Sequence, residues 1–389
     1  MKICMILPHF YPYVGGAEKL FYDLAVALVL RGHEVRVITQ DTDTGKHGAV
    51  RLPVVSADGE GGTGKFIQAC YFHWPEFFGH PLVKSENLEK HIRWADVVHT
   101  STFTPSPPVS KLCKKYHKPC VLTIHEFHGF KWFWVDTPVR AAAFFLFEWY
   151  VCTRKFDVYH AVSDATKKDF IKFCGRRNVR RVYNADEMNP DAPLDKTFDI
   201  YEHFHVSRDK KIFLYYGRPG QTKGVNIYEE ALIRLRETGT DLSGVRFCFA
   251  LGAEPAGPRK RFLESIRKHG LKGIVKIRGS LSREVLSACI LQADYVVVPS
   301  ITEGFGFSAI EACQMGKPLI VSDAGSLPEV VFGDVLFFEN RNARDLSEKL
   351  LQVIKKGSAA FTHIPEKKFT YEDMVGGMEK IYRELCHTV

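Results

Sequence analysis

The sequence predicts an α/β protein of two doubly wound domains, each built on a parallel sheet. Three observations predict it. Short β-rich runs alternate with longer helical patterns from end to end. Their apolar stretches are nearly continuous, as in parallel strands buried on both faces. The rhythm pauses once, around 184–208, and then restarts. At 389 residues the chain is too long for one typical domain and comfortable for two.

In the first half, 2–7 reads as a strand, 17–30 as a helix and 34–39 as a strand. Further strands fall at 96–100, 119–124 and 158–162. The pause holds Pro190, Pro193, several acids and no clear period, so it is read as a linker dividing 1–190 from 191–370. The second half has strands at 212–216, 245–251, 274–278, 295–299 and 318–322, with helices at 225–236 and 257–269. It closes in helices at 343–355 and 371–386. Two such halves leave a cleft, and open α/β sheets bind ligands at the carboxyl ends of their strands.

Composition is that of a soluble globular protein, with 45% hydrophobic and 25% charged residues. Lys and Arg outnumber Asp and Glu by 53 to 45. That excess suits an acidic ligand or an anionic membrane surface. Without a basic stripe it does not point to nucleic acid. Ten cysteines occur with no C-x-x-C pair, and Cys4, Cys120, Cys248 and Cys289 sit in apolar runs. Buried free thiols in a reducing compartment are expected rather than a disulfide framework. The first apolar run ends after five residues at Pro8 and His9, too short for a signal peptide. No stretch reaches the roughly 18 apolar residues of a membrane span. A cytoplasmic protein is expected.

Four segments carry candidate chemistry. In 299–329 a buried strand ends at Pro299, a loop holds Glu303-Gly304-Phe305-Gly306, and a helix begins near Phe307 with Glu311 about one turn in. Glycines let backbone N–H groups approach a ligand, and a helix N-terminus favours negative charge. Two carboxylates there suit the paired hydroxyls of ribose or hexose. The bland alternative is a tight strand-to-helix turn. In 215–224, YYGRPGQTKG, Arg218 and Lys223 follow a strand in a Gly-rich loop, a pattern fit to clamp a diphosphate. Two solvated loop cations would look the same. In 8–18, Gly15 and Gly16 let a βα loop face the cleft, or simply make the turn. His125 follows a buried strand and could bond a sugar hydroxyl or serve structure alone. A zinc reading of His125, Glu126 and His128 fails, because H-E-x-x-H needs its second His where Gly129 stands. The P-loop match from Gly59 to Lys65 lacks the following Ser or Thr, having Phe66, and reads as a surface loop.

Taken together, these residues resemble the retaining GT-B glycosyltransferases of the E-x7-E type, the family 4-like or group 1 glycosyl transferases. Glu303 and Glu311 bracket seven residues. Arg218 and Lys223-Gly224 match the family's G-R-x-x-x-x-K-G. Pro12, Gly15, Gly16 and Glu18 match P-x-x-G-G-x-E, and His125, Val162-Ser163 and Pro328-Glu329 also fit. Two positions depart. The usual P-N-G-V-D reads Tyr183-Asn184-Ala185-Asp186-Glu187, and a usual Gly-Gly reads Gly325-Ser326.

The resemblance implies a GT-B fold, two Rossmann-like domains facing across a cleft, with the last helix (371–389) packing back on the first domain. It implies that Arg218 and Lys223 bind the donor diphosphate and that Glu311 holds the ribose. Glu303 and the backbone of Gly304, Phe305, Gly306 and Phe307 would hold the donor sugar. Gly15 and Gly16 would line the phosphate and acceptor side, and His125 would contact the sugar near its anomeric carbon. The implied reaction retains configuration, with the donor phosphate taking the acceptor proton, and needs no metal or other cofactor. The implied donor is a UDP-, GDP- or ADP-linked sugar and the acceptor a saccharide or lipid-linked group. The aromatic stretch 127–155, flanked by Lys131, Arg140, Arg154 and Lys155, is read either as a peripheral membrane contact or as a core helix packed on the sheet. The competing functions are a non-catalytic partner protein that binds nucleotide sugar and a GT-B-fold nucleotide-sugar epimerase.

Overall fold

The computed structural model describes all residues except 13, 14, 42–47, 55–63, 78, 79, 103, 186–194, 196, 388 and 389. From residue 1 to 185 the elements are β1 (Lys2–Ile6), α1 (Gly16–Leu30), β2 (Glu34–Gln40), β3 (Gly48–Pro53), β4 (Phe66–Phe72), the short pair β5 (Glu76–Phe77) and β6 (His80–Pro81), α2 (Ser85–Trp94), β7 (Val97–Ser101), α3 (Ser106–Lys115), β8 (Cys120–Ile124), α4 (Trp132–Val135), α5 (Pro138–Thr153), β9 (Val158–Ala161), α6 (Asp164–Cys174) and β10 (Val179–Arg181). There follow α7 (Ile200–Phe204), β11 (Lys211–Gly217), α8 (Val225–Glu237), β12 (Val245–Leu251), α9 (Ala256–Lys268), β13 (Val275–Arg278), α10 (Arg283–Gln292), β14 (Tyr295–Val298), α11 (Phe307–Gln314), β15 (Leu319–Ser322), α12 (Leu327–Val330), β16 (Gly333–Phe338), α13 (Ala343–Lys356), β17 (Thr362–Ile364) and α14 (Tyr371–His387). The chain divides into one unit of Met1–Phe133, Thr137–Ala185 and Phe369–Val389, and a second of Trp134–Asp136 and Asp186–Lys368.

In the first unit the sheet order is β10-β9-β8-β7-β1-β2-β4-β3. Every pairing is parallel except the outermost, β3 with β4. The central strands β1, β7 and β8 are buried on both sides, which is why they read as apolar runs. Strand order reverses between β1 and β7, so their carboxyl ends form a topological switch point. One face is covered by α1 and α14, whose Leu20, Leu24 and Leu28, and Met374, Met378 and Ile381, recur at helical spacing. The other face packs Leu88, Ile92, Val109, Leu112, Val151 and Phe170.

Neither β3 nor β4 has a counterpart in the predicted elements; β3 is mostly exposed and lacks an apolar run, whereas β4 is largely buried and apolar. The P-loop match falls on 59–65. Its residues 59–63 lie outside the described set, and the chain then enters the strand β4 rather than the helix a P-loop requires. The linker reading of 184–208 falls in part on 186–194 and 196, also outside it, and the described remainder holds the short helix α7 rather than irregular chain alone. The expectation of buried free thiols is corrected at one pair. Cys152 and Cys174 are joined, tying the end of α5 to the end of α6. These ends meet in space across 22 residues, which spacing alone does not reveal. The other eight cysteines are free and seven of them are buried.

A buried polar chain crosses the α14 side of this sheet. The Val182 carbonyl can only accept, so His160 donates to it from Nε2 at 2.9 Å and must accept at Nδ1. Thr123 Oγ1 therefore donates to His160 Nδ1 at 2.8 Å and accepts from His99 Nε2 at 2.6 Å. His99 Nδ1 then accepts from the Tyr382 hydroxyl at 2.6 Å. Both rings are neutral in this scheme. Burial pushes His160 down to about 4 and His99 well below its usual range. Nearer the rim, Glu379 of α14 bonds Arg31 at 2.9 Å, His33 at 3.0 Å and Arg383 at 2.6 Å. Arg383 first, then, against the cost of burial, Arg31 and His33, hold Glu379 down to about 2.

These shifts predict acid lability of the first unit. A buried histidine with a lowered pKa contributes stability above its ordinary 6.5 that is lost as pH falls through about 4. A paired carboxylate lowered from 4.5 to about 2 contributes stability that is lost as pH falls across that range. Protection of the α14 amides against hydrogen exchange is expected to fall steadily from pH 6 to pH 3. In Glu379→Gln the decline below about pH 4.5 should flatten, because one titrating group has gone.

Candidate active site

In the second unit the sheet order is β13-β12-β11-β14-β15-β16-β17, parallel except for β17, and it reverses between β11 and β14. Two loops leave the carboxyl ends of these strands. The first, after β11, makes a single 3-10 turn over Gln221–Lys223 and reaches Gly224 at φ +66°. A Cβ there would lie 1.7 Å from the Pro299 carbonyl oxygen, so only glycine lets the two loops touch. Ile301 N–H donates to the Thr222 carbonyl at 2.8 Å across the same seam.

This contact brings Lys223 to Glu303, with Nζ 2.5 Å from Oε1. The Ser300 hydroxyl donates to the same oxygen at 2.9 Å. The Glu303 side chain is only 7% exposed. Its own carbonyl accepts from Ser326 N–H at 3.2 Å. Gly325, at φ +52°, passes so close that a Cβ would meet that carbonyl at 2.2 Å. Glu303 is thus held through its carboxylate and its backbone. Burial, then the Glu303 charge, raise the Tyr215 phenol far above its ordinary range, so it stays neutral and donates to the Arg218 carbonyl at 3.0 Å.

Helix α11 opens at Gly306, φ +90°, with no side-chain cap, which leaves the positive end of its dipole to a negative group. Phe305 is buried and packs edge-on to Phe307, their centroids 5.2 Å apart, directly after Gly304. Tyr216 donates from its hydroxyl to the Ser308 carbonyl at 2.5 Å, pinning the first turn. Glu311 lies one turn in, 12% exposed, 3.6 Å from Arg283 of α10. Arg218 is exposed, and its guanidinium makes no hydrogen bond or ion pair among the described residues. Arg218, Lys223, Glu303, Gly304, Phe305, Gly306, Phe307 and Glu311 therefore gather at one switch point. Cations and an uncapped helix start suit a diphosphate, and buried carboxylates suit hydroxyls.

Gly15, Gly16 and His125 lie in the first unit. Gly15 is the extended residue before α1, and Gly16 is its exposed first residue. His125 follows β8, its ring edge-on to Phe21 of α1 at 5.5 Å. Burial, and then His160, push it down to about 3, so the ring is neutral. Its Nε2 is buried with no hydrogen-bond partner. Ser300, Thr222, Gly325 and Ser326 lie inside the segments that the sequence marks, but their contacts with Glu303 and Ile301 are not legible there. Arg283, which reaches Glu311 from α10, is not marked by the sequence at all.

Residues 14–185 match the model of Glycosyltransferase Family 4, and residues 199–367 match that of Glycosyl transferases group 1. The chain is 27% identical to a glycogen synthase of Mycobacterium tuberculosis over 354 residues, covering 85% of this chain and 80% of that protein. It is 22% identical to one component of the human phosphatidylinositol N-acetylglucosaminyltransferase, covering 98% of this chain and 75% of that one. In structure it is similar to a sucrose-phosphate synthase from Thermosynechococcus elongatus, with TM-score 0.76 at 18% identity and full coverage of both chains. It is also similar to Anabaena HepE in complex with UDP-glucose, with TM-score 0.68 at 16% identity and full coverage of both.

Two outcomes follow from this geometry. Gly224→Ala should lower stability by about 3 kcal/mol, through backbone strain and the blocked approach to Pro299. Gly316→Ala, at φ +64° with nothing within 4 Å, meets only the strain and should cost about 1–2 kcal/mol. Urea midpoints compare the two. Lys223→Ala strands a buried carboxylate and should cost about 3 kcal/mol, whereas Arg218→Ala should stay within about 0.5 kcal/mol. Equal midpoints for these last two variants would mean that Lys223 does not hold Glu303.

Proposed function

The chain belongs to the GT-B glycosyltransferases that these two models describe. From that premise we propose that it retains anomeric configuration while moving a hexose or N-acetylhexosamine from a nucleotide sugar to a saccharide or lipid-linked acceptor. The observation that carries the reading is the convergence of Arg218, Lys223 and the start of α11 with two buried carboxylates at one switch point. Two cations and a helix dipole neutralise a diphosphate as it departs. Lys223 has three N–H donors, so it can hold Glu303 and a phosphate oxygen together. Glu303, oriented by Lys223 and Ser300, accepts from sugar hydroxyls. Glu311 accepts from the ribose. In the first unit we assign the neutral His125 ring a hydrogen bond to a sugar hydroxyl.

In the proposed step the bond from the anomeric carbon to the phosphate oxygen breaks through an oxocarbenium-like state. The acceptor oxygen bonds to the same face of that carbon, and its proton passes to the departing phosphate. The products are the glycosylated acceptor and a nucleoside diphosphate. The protein contributes position and charge, and no metal is part of the step.

The test is nucleotide release from a panel of UDP-, GDP- and ADP-sugars, led by UDP-glucose because a structural neighbour holds it. One donor should be hydrolysed slowly, and the rate should fall about a hundredfold in Arg218→Ala. Glu311→Ala should abolish donor binding by calorimetry. An Arg218→Ala enzyme with unchanged turnover would remove the clamp. Release from no donor, with no donor bound, would favour a non-catalytic partner protein.

A further inference from the structure

We infer that the outward face of α5, with Phe130 and Phe133 beside it, is a docking surface for an anionic lipid bilayer. The sequence of α5 is PVRAAAFFLFEWYVCT, apolar on all sides with only two charges. One face, Ala141, Phe144, Glu148, Val151 and Cys152, is buried in the unit. The opposite face carries Val139, Leu146, Trp149 and Tyr150, which are 80%, 60%, 56% and 41% exposed, with Ala142 and Ala143 between them. A helix with one face in water ordinarily carries polar residues there. The concentration is not random. Of the ten exposed large hydrophobic side chains among the described residues, six belong to the first unit and fall between 130 and 150. Phe130 and Phe133 extend the patch, with ring centroids 4.9 Å and 6.3 Å from Phe145 of α5.

The helix cannot turn this face inward. Cys152 is bonded to Cys174 of α6, and the buried Glu148 accepts the Gly129 N–H at 2.7 Å. At 16 residues α5 is too short to span a bilayer, and no helix among the described residues is long and apolar enough to do so. A face of aliphatic and aromatic side chains on such a helix fits the interfacial zone, where Trp and Tyr rings settle at headgroup depth.

Charge decides which surface it fits. Arg154 lies 4.5 Å over the Tyr150 ring, and Arg140 and Lys155 are exposed at the rim. Between 127 and 181, eleven Lys and Arg stand against five Asp and Glu, which is six of the chain's eight net positive charges. A net positive surround of an apolar face complements anionic headgroups. A second copy of the chain would bring the same sign against it.

The experiment is flotation of the purified full-length chain with vesicles of phosphatidylcholine alone, or with about 30 mol% phosphatidylserine. Binding is expected to the anionic vesicles, several-fold weaker to the neutral ones, and to fall as salt rises. The double variant Leu146→Ser, Trp149→Ser should bind about tenfold less. Arg140→Glu with Lys155→Glu should weaken binding to anionic vesicles and leave the neutral arm unchanged. Hydrogen-exchange protection of the α14 amides, in the same unit, reports that the variants are folded and is independent of this inference. Absence of binding to anionic vesicles, or equal binding by the double serine variant, would overturn the proposal. So would a wild-type dimer in solution that the serine changes dissociate, since the face would then be covered by a second copy.

Discussion

The contact between Gly224 and the Pro299 carbonyl is the constraint on which the second unit's site depends. Two loops leave adjacent strands on either side of the reversal in strand order, and both must reach the same small volume. They do so because residue 224 has no Cβ to hold them apart. The Thr222 carbonyl accepts from Ile301 across the seam, and Lys223 is delivered to Glu303. A buried carboxylate is costly unless paired and bonded. Here the same contact that shapes the site supplies the partner, so local fold and local electrostatics stabilise each other.

Gly325 and Gly306 serve the far side of the same carboxylate loop. Gly325 admits the Glu303 carbonyl, and Gly306 admits the Leu327 side chain at the start of α11. The position where the resemblance expects Gly-Gly holds Gly325-Ser326, and the serine N–H takes up the Glu303 carbonyl. The departure therefore keeps the glycine that sterics require and adds a hydroxyl, whose Oγ lies 3.4 Å from the same carbonyl.

The first unit uses a different device. Its C-terminal helix is held against the sheet by apolar packing, by the Glu379 cluster and by the ordered chain from Tyr382 to Val182. Each member of that chain both satisfies its neighbour and fixes its tautomer, so the two neutral rings carry no unpaired nitrogen. His125, just past the end of the strand that carries Thr123, is the contrast, with a buried Nε2 that has no hydrogen-bond partner.

The α/β rhythm, the parallel sheets and the candidate residues that gather in the second unit were legible in the sequence, because they are local. A strand buried on both faces reads as an apolar run. A strand-to-helix loop that needs close backbone approach reads as Glu303-Gly-Phe-Gly306, and Arg218 and Lys223 stand within six residues of each other. The edge strand β3 escaped because exposure erases its pattern. Only tertiary structure decided which glycines are sterically required, which carbonyl Ser326 meets, that Arg283 stands beside Glu311, and that Cys152 finds Cys174. It also showed that α5, read from sequence as either a membrane face or a core helix, buries one side and exposes an equally apolar other. The reason is common to all of these. Local sequence encodes periodicity and turn chemistry, whereas contact between segments far apart in the chain depends on where the sheet places their ends.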